Sequence, residues 1–340
     1  MTKIAVVILN WNGRHHLQQF LPDVCRYSDL AGTEVIVVDN GSTDDSKDFI
    51  RQTFPAVRCI EFEINLGFAM GYSRALEMIK ATYYVLLNSD VEVTHGWLAP
   101  LLDTLENNSA IGACMPKMLA YNQKECFEYA GASGGFIDRF GYPFCRGRIL
   151  DSIENDNGQY DNIRNVFWAS GACMFVRASA YKKAGGLDAE FFAHMEEIDL
   201  CWRLHRVGYS VVVVPASVVY HVGGGTLPNN TPRKLYLNYR NNLFLLFKNL
   251  PVFQLIPVVL VRMMLDGMSA LVYLLNGSGG FFIAVIRAHL AFYRRIPVLF
   301  NMRRQLKGKI RTGKIHEIYR GSIVFDFFIR HKRYFGEVDW

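Results

Sequence analysis

Two apolar runs in this chain end abruptly in groups capable of chemistry. Val35-Ile-Val-Val runs into Asp39-Asn-Gly-Ser-Thr-Asp-Asp45, and Tyr83-Tyr-Val-Leu-Leu runs into Asn88-Ser-Asp90. Such unbroken runs read as strands buried on both faces of a parallel sheet, and open α/β sheets bind ligands outside the carboxyl ends of their strands. Asp39 is there an acceptor suited to a ribose hydroxyl or a base N–H, although the same residue type also serves as a turn or helix cap. Asp90 offers the carboxylate that a hard divalent cation wants, the rest of the shell coming from water and substrate phosphates. Two acidic strand ends facing one crevice imply a nucleotide site with a metal ion beside it.

Three further segments carry polar groups of the right kind. Glu196-Glu-Ile-Asp-Leu-Cys-Trp-Arg203 opens an amphipathic helix after the aromatic approach Phe191-Phe-Ala-His-Met195. Acids in a first turn are favoured by the helix dipole, and Asp199 with Arg203 has the i,i+4 spacing of an ordinary ion pair. A carboxylate aimed into the crevice among apolar neighbours would instead be a general base of raised pKa. His221 follows an apolar strand and precedes Gly223-Gly-Gly225, so its neutral imidazole is a possible metal ligand. Asn65-Leu-Gly67 places a glycine where a strand turns into a helix, which by itself is explained by a tight turn.

The elements that must position these groups alternate. Strands are expected over 4–9, 34–39, 57–62 and 83–88, with helices near 14–27, 44–53 and 68–80, an order that implies a mostly parallel sheet with right-handed crossovers. From about 110 to 165 the pattern loosens, and 131–135 and 151–161 read as loops. Order returns with a strand over 167–176, helices near 177–184 and 195–207, and a strand from 210. No G-x-G-x-x-G follows the first strand, where Asn10-Trp-Asn-Gly13 stands instead, so a nicotinamide cofactor loses its phosphate cradle.

With 340 residues, half of them hydrophobic, the chain is long enough for one large α/β domain with an appendage. Its net charge of +6 conceals an asymmetry: residues 1–225 carry 19 Lys and Arg against 26 Asp and Glu, and residues 226–340 carry 18 against 5. A basic, apolar tail on an acidic body points to an anionic membrane surface. Nucleic acid fits less well, because aliphatic helix formers rather than stacking aromatics separate the basic residues. Val252–Leu275 is long enough to cross a bilayer, but it contains Pro257, Arg262 and Asp266, and a charge at the bilayer centre costs about 2.5–3.5 kcal/mol on insertion scales. Helices lying in the interface are expected over 252–300, with Arg262 and Asp266 paired on one face. Seven scattered cysteines without a CxxC, and a first strand that starts at Lys3, give the expectation of a reducing cytoplasmic compartment with no leader peptide.

Taken together, these residues closely resemble the family-2 glycosyltransferases of the GT-A fold, in particular the bacterial rhamnosyltransferase-like branch. The matching pieces are Val6-Val-Ile-Leu-Asn-Trp-Asn-Gly13, Val37-Val-Asp-Asn-Gly-Ser-Thr-Asp44, Asn65-Leu-Gly-Phe-Ala69, Leu87-Asn-Ser-Asp-Val91, Trp168-Ala-Ser-Gly-Ala-Cys173, Glu196–Arg203 and His221-Val-Gly-Gly-Gly225, continuing into Tyr239-Arg-Asn-Asn-Leu243. The resemblance implies a GT-A domain over 1–225, with a nucleotide-sugar half (1–110) and an acceptor half (111–225), followed by a membrane-associating helical region over 226–340. It implies that Asn10, Asn12, Asp39, Asn65, Gly67 and Asn88 face the donor nucleotide. Asp90 and His221 would hold Mg²⁺ or Mn²⁺ on the diphosphate. The family's acid pair is usually Glu-Asp, so Glu197 inherits the role of base with a longer side chain, and Glu196 stands beside it.

The implied activity is an inverting, metal-dependent transfer from a nucleoside-diphosphate sugar to a saccharide, of the lipid-linked kind used in cell-envelope polysaccharide synthesis, at the inner face of the cell membrane. Segments around 131–149 and 223–232 are expected to close over the donor. Two rivals remain: a sugar-phosphate nucleotidyltransferase, whose Gly-rich basic signature Asn10-Trp-Asn-Gly-Arg14 does not supply, and a membrane-bound scaffold that binds sugar nucleotides without turnover.

Overall fold

The apolar runs form the centre of a ten-stranded mixed sheet in a computed structural model that describes residues 2–223, 231–306 and 314–340. The first half alternates: β1 (Thr2–Asn10), α1 (Arg14–Tyr27), β2 (Thr33–Asn40), α2 (Ser46–Thr53), β3 (Arg58–Phe62), α3 (Gly67–Glu77) and β4 (Ala81–Asn88). These strands lie side by side in the order β3-β2-β1-β4, all parallel. Val6, Val7, Val37, Val38, Val85 and Leu86 are fully buried, so a one-residue slip would exchange the faces that every side chain contacts. That register sets Asn10 beside Asp39 and Leu9 beside Asn88, and the polar strand ends share one edge.

A short β5 (Val91–Val93) and α4 (Leu98–Asn107) lead into the stretch 110–165, which is more ordered than its sequence pattern indicates. It supplies β6 (Ile111–Ala120) and β7 (Gln123–Phe127), then β8 (Gly135–Asp138), β9 (Pro143–Cys145), β10 (Arg148–Ile149) and β11 (Ser152–Ile153) of a second, five-stranded sheet, and β12 (Arg164–Val166). Ser133, Phe136, Phe144, Cys145, Arg146 and Ile149 are buried, so the segment expected to act as a lid over 131–149 is instead the interior of that sheet. Its strands are two to four residues long, too short for the alternation that reveals a strand in sequence. Of the other expected lid, 224–230 lie outside the described residues.

The strand expected over 167–176 is shorter, as β13 (Cys173–Arg177). Phe167–Ala172 crosses between the sheets, with the Trp168 indole donating to the Phe136 carbonyl at 2.9 Å. β13 enters antiparallel between β4 and β6; after α5 (Ala178–Ala184) and α6 (Glu196–Arg206), β14 (Ser210–His221) runs parallel to β6. The C-terminal part holds α7 (Pro232–Asn249), α8 (Val252–Leu275), α9 (Gly279–Leu306), β15 (Ile318–Tyr319) and α10 (Ile323–Phe328). It is not helical throughout: β15 adds to β8 of the second sheet, and Phe335 and Trp340 pack on Phe136 and Phe144.

α8 has the opposite polarity from a helix on a water-soluble surface. Arg262, Asp266 and Ala270 are buried, while Phe253, Ile256, Leu260, Met264, Met268, Leu271 and Leu275, spaced three and four apart, are each more than half exposed. Arg262 donates to Asp266 at 2.7 Å and to the Asn242 side chain of α7 at 2.6 Å, as the i,i+4 spacing foretold, and His289 of α9 lies 3.3 Å from the same carboxylate. Removing one member of a buried, hydrogen-bonded pair leaves an uncompensated charge. Arg262→Ala is therefore expected to cost about 3–5 kcal/mol in urea unfolding, and Arg262→Met with Asp266→Leu markedly less.

Candidate active site

One cavity of about 900 Å³ opens at the carboxyl ends of β1, β2 and β4, and its wall includes Asn65, Gly67, Asn88, Asp90, Glu196, Glu197 and His221. Seven of the ten residues singled out in the sequence therefore meet there. Asn10, Asn12 and Asp39 do not line it; they build the turn behind its wall. Asp39 is fully buried, accepting from Ser42 N at 3.0 Å and from the Asn10 amide at 3.4 Å. Asn12, at φ 51°, accepts from Thr43 N at 2.7 Å and so ties the β1 loop to the β2 loop. The neighbour of Asp39, Asn40, does reach the cavity. Its amide donates to Asn65 Oδ1 and Gly67 O, both at 3.1 Å, and its oxygen accepts from Leu66 N at 3.0 Å, which shapes the turn into α3.

Asp90 and His221 come together from the end of β4 and the end of β14. His221 Nε2 lies 3.3 Å from Asp90 Oδ1, while its Nδ1 lies 3.1 Å from Glu128 Oε1 without the alignment of a hydrogen bond. Burial disfavours charge on the imidazole, but Glu128 and Asp90 outweigh it and push His221 up to about 10. Burial alone would lift the Asp90 carboxyl; the hydrogen bond and charge of His221 hold it below its ordinary value. The two carboxylates thus favour a charged ring, and a cation arriving at Asp90 would displace the Nε2 proton and take the neutral imidazole as its ligand.

The donor set fits a divalent ion on those terms. Carboxylate and Nε2 stand on one side of the ring, and Glu128 behind Nδ1 orients it. Because Glu128 faces the opposite nitrogen, no three such ligands converge on one point among the described residues. Diphosphate oxygens and water would have to complete the shell. Glu128 was missed in the sequence because it follows β7 in the stretch without pattern.

Three acids in the first turn of α6 have three different surroundings. Asp199 is sealed in, accepting from Arg203 Nε at 2.9 Å, Lys248 Nζ at 2.8 Å and Asn249 Nδ2 at 2.8 Å. Burial opposes its charge, yet these partners hold it down at about 2. It anchors α6 to α7 and is excluded as a base. Glu196 is buried, with Oε2 unpartnered, and burial together with the adjacent Glu197 raises its carboxyl well above the usual range. Glu197 is recessed but open to the cavity, its Oε2 also unpartnered; burial pushes it up to about 7, partly offset by the backbone N–H groups that open the helix.

Those glutamates follow a loop that cannot hold its own shape. Phe192, His194 and Met195 have φ of 62°, 70° and 74°, a region costing ordinary residues roughly 1–2 kcal/mol each. Two neighbours pin it. Phe192 O accepts from Phe68 N at 2.8 Å and Ala69 N at 3.2 Å, an approach that requires Gly67, where a Cβ would lie 2.5 Å from the Phe192 ring. From α7, the buried Asn241 amide donates to the carbonyls of Phe191, Ala193 and His194 at 2.8, 2.8 and 2.7 Å, and Arg240 donates to Phe191 O at 2.9 Å. Arg240 and Asn241 of the Tyr239-Arg-Asn-Asn segment noted in the sequence thus act through the acid loop.

Comparison with known proteins supplies the class. The sequence matches the family model for glycosyl transferase family 2 over residues 5–183, and that for glycosyl transferase family group 2 over 145–291. It is 27% identical over 236 residues to an N-acetylglucosaminyl-diphospho-decaprenol L-rhamnosyltransferase of Mycobacterium tuberculosis, covering 64% of this chain and 75% of that one. It is 26% identical over 162 residues to rhamnosyltransferase WbbL of Escherichia coli, covering 46% and 60%. Among solved structures, the mannosyltransferase PcManGT of Pyrobaculum calidifontis, with GDP-Man and Mn²⁺, superposes with TM-score 0.51 at 14% identity over 86% of this chain and 87% of that one. GalNAc-T7, with UDP, GalNAc and Mn²⁺, superposes with TM-score 0.57 at 16% identity over 73% of this chain, which spans about half (48%) of that one. The fold is that of a GT-A glycosyltransferase. The chain belongs to glycosyl transferase family 2, with rhamnosyltransferases among its relatives.

Asn241→Ala removes three hydrogen bonds from the loop without touching the cavity. A misplacement of about 1 Å costs on the order of 10²-fold in rate, so kcat is expected to fall by that factor while the donor KM and the far-ultraviolet circular dichroism stay near wild type.

Proposed function

We propose that this protein is an inverting, metal-dependent glycosyltransferase that moves a sugar from a nucleoside diphosphate to a lipid-linked saccharide at a membrane surface. One observation carries the chemistry: Glu196 and Glu197, each with Oε2 unpartnered and a raised pKa, share a cavity with the Asp90–His221 pair. Asp90 and His221 Nε2 would hold Mg²⁺ or Mn²⁺ on the donor diphosphate, where the ion offsets charge on the leaving nucleotide. Asn65, Gly67 and Asn88 border the donor, with Asn10, Asn12 and Asp39 supporting the turn beneath it.

Glu197, nearer the cavity than Glu196, takes the acceptor hydroxyl's proton as that oxygen attacks the anomeric carbon opposite the departing diphosphate. The carbon–oxygen bond to the nucleotide breaks as the new one forms, and the configuration inverts. Burial and the adjacent Glu197 raise Glu196 well above the usual carboxylate range, and Glu197, pushed up to about 7, is the group placed to ionise near neutral pH. The M. tuberculosis relative, named for a diphospho-decaprenol acceptor, supports the lipid-linked acceptor and cell-envelope role. The same reading puts the protein at the inner face of the cell membrane, with 1–225 as the catalytic domain and 226–340 as its membrane-facing part.

The test is a donor panel with Mn²⁺ or Mg²⁺, reading nucleoside diphosphate release. Glu197→Gln is expected to lower kcat by about 10²–10⁴-fold, and full turnover in that variant would reject the assignment. A base must be unprotonated, so wild-type kcat/KM should fall as pH drops through about 7, and a profile flat from pH 5 to 8 would contradict the role of Glu197.

The outward apolar stripe and inward charges of α8 support contact with a bilayer surface, although α8 also has the length and composition to cross one. Arg303 and Arg304, described at the end of α9, belong to the basic run noted in the sequence; 307–313 of that run lie outside the described residues. Replacing Leu260, Met264 and Met268 together by Ser should release the protein from anionic vesicles in a flotation assay, and unchanged flotation would refute the assigned face.

A further inference from the structure

The cavity wall is crowded with carboxylates, Asp90, Glu128, Glu196 and Glu197 among them, which is a poor reception for an anionic substrate. Its only Lys or Arg side chains among the described residues are Arg233 and Lys234, in the first turn of α7. Arg233 is exposed at the rim, its guanidinium 5.9 Å from the centre of the Phe192 ring, and no carboxylate pairs with it among the described residues. The loop bearing Phe192 is the one that presents the two glutamates, so the cationic rim borders the acid side of the cavity.

The same turn touches the membrane-facing helices. α8 runs antiparallel to α7, Tyr239 meeting Ser269 and Asn242 meeting Arg262, and the turn into α9 therefore returns to the α7 start. A Cβ on Gly280 would lie 3.4 Å from Pro232, the residue before Arg233. The apolar stripe of α8 ends at this tip with Leu271, Val272 and Leu275, all more than half exposed. An apolar track outside and a pair of cations at the rim thus adjoin, in the order tail and then phosphate that a lipid diphosphate presents. A soluble acceptor would need only the inner cavity and would leave Leu275, 85% exposed, without a role.

We propose that Arg233 and Lys234 hold the diphosphate of a lipid-linked acceptor whose apolar tail lies along the exposed tip of the α8–α9 hairpin. This rests on the transferase reading for the identity of the ligand as acceptor, but the site itself can be measured without turnover. Calorimetric titration of the full-length protein compares geranylgeranyl diphosphate, geranylgeraniol and inorganic pyrophosphate. The lipid diphosphate is expected to bind at least about tenfold more tightly than either fragment. Arg233→Gln with Lys234→Gln should abolish its advantage over the alcohol, and Leu271→Ser with Leu275→Ser its advantage over pyrophosphate.

Binding of UDP or dTDP with Mn²⁺ by the double Gln variant separates this site from a donor site. Weakening of the nucleotide by the same factor as the lipid diphosphate would assign the cations to the donor and overturn the proposal. Pyrophosphate binding as tight as the lipid diphosphate, or wild-type lipid affinity in the charge variant, would overturn it equally. If the affinities follow the expectation while no donor in the panel is ever turned over, the transferase reading falls and the lipid-diphosphate site stands.

Discussion

A single buried amide, that of Asn241, spends both its protons on three carbonyls of the loop that precedes the acid pair, and the arrangement of the cavity follows from that constraint. Residues 192, 194 and 195 have backbones that L-amino acids rarely adopt, and strain of this kind persists only where the surroundings over-determine it. Here the surroundings are two elements distant in sequence: the start of α3, whose Gly67 lets Phe192 approach, and the middle of α7. Released from either, the loop would be expected to relax toward ordinary φ values and carry Glu196 and Glu197 with it.

The same helix divides three neighbouring carboxylates into separate roles. Lys248 and Asn249 of α7 satisfy Asp199 so fully that it is a structural anchor, while nothing satisfies the outer oxygens of Glu196 and Glu197. A buried acid left without a partner is costly, and its retention beside an open cavity is the signature of a group whose partner is a ligand. α7 also carries Asn242, which holds Arg262 and through it the inward, charged face of α8. One helix therefore joins the acid loop, the rim of the cavity and the outward apolar stripe, so that the C-terminal helices and the cavity-bearing sheet are a single mechanical unit.

How legible this was depended on the length of the signal. The parallel strands could be read because each is a long β-branched run closed by polar residues, and the paired Arg262 and Asp266 because i,i+4 spacing on a helix admits little else. The second sheet was hidden, since strands of two to four residues carry no period, and Glu128, the counter-charge behind His221, was missed because it follows β7, a strand of the main sheet that is mostly polar and exposed. Sequence position also misassigned depth. Asp39 and Asp90 both end strands, yet a hydrogen-bonded turn folds over Asp39 and puts Asn40 on the cavity wall in its place. The surroundings of His221 were likewise invisible, because the two carboxylates that flank it lie 93 and 131 residues away in the chain.

The central claim is that ion and base occupy opposite sides of one cavity. It is tested most directly by anomalous diffraction from Mn²⁺ in crystals of the protein grown with a nucleoside-diphosphate sugar that it turns over. The account predicts the anomalous peak between the Asp90 carboxylate and His221 Nε2, with the Glu197 carboxylate facing the anomeric carbon from the side away from the diphosphate. Manganese seated instead on Glu196 and Glu197 would make the unpartnered pair the metal site and contradict it.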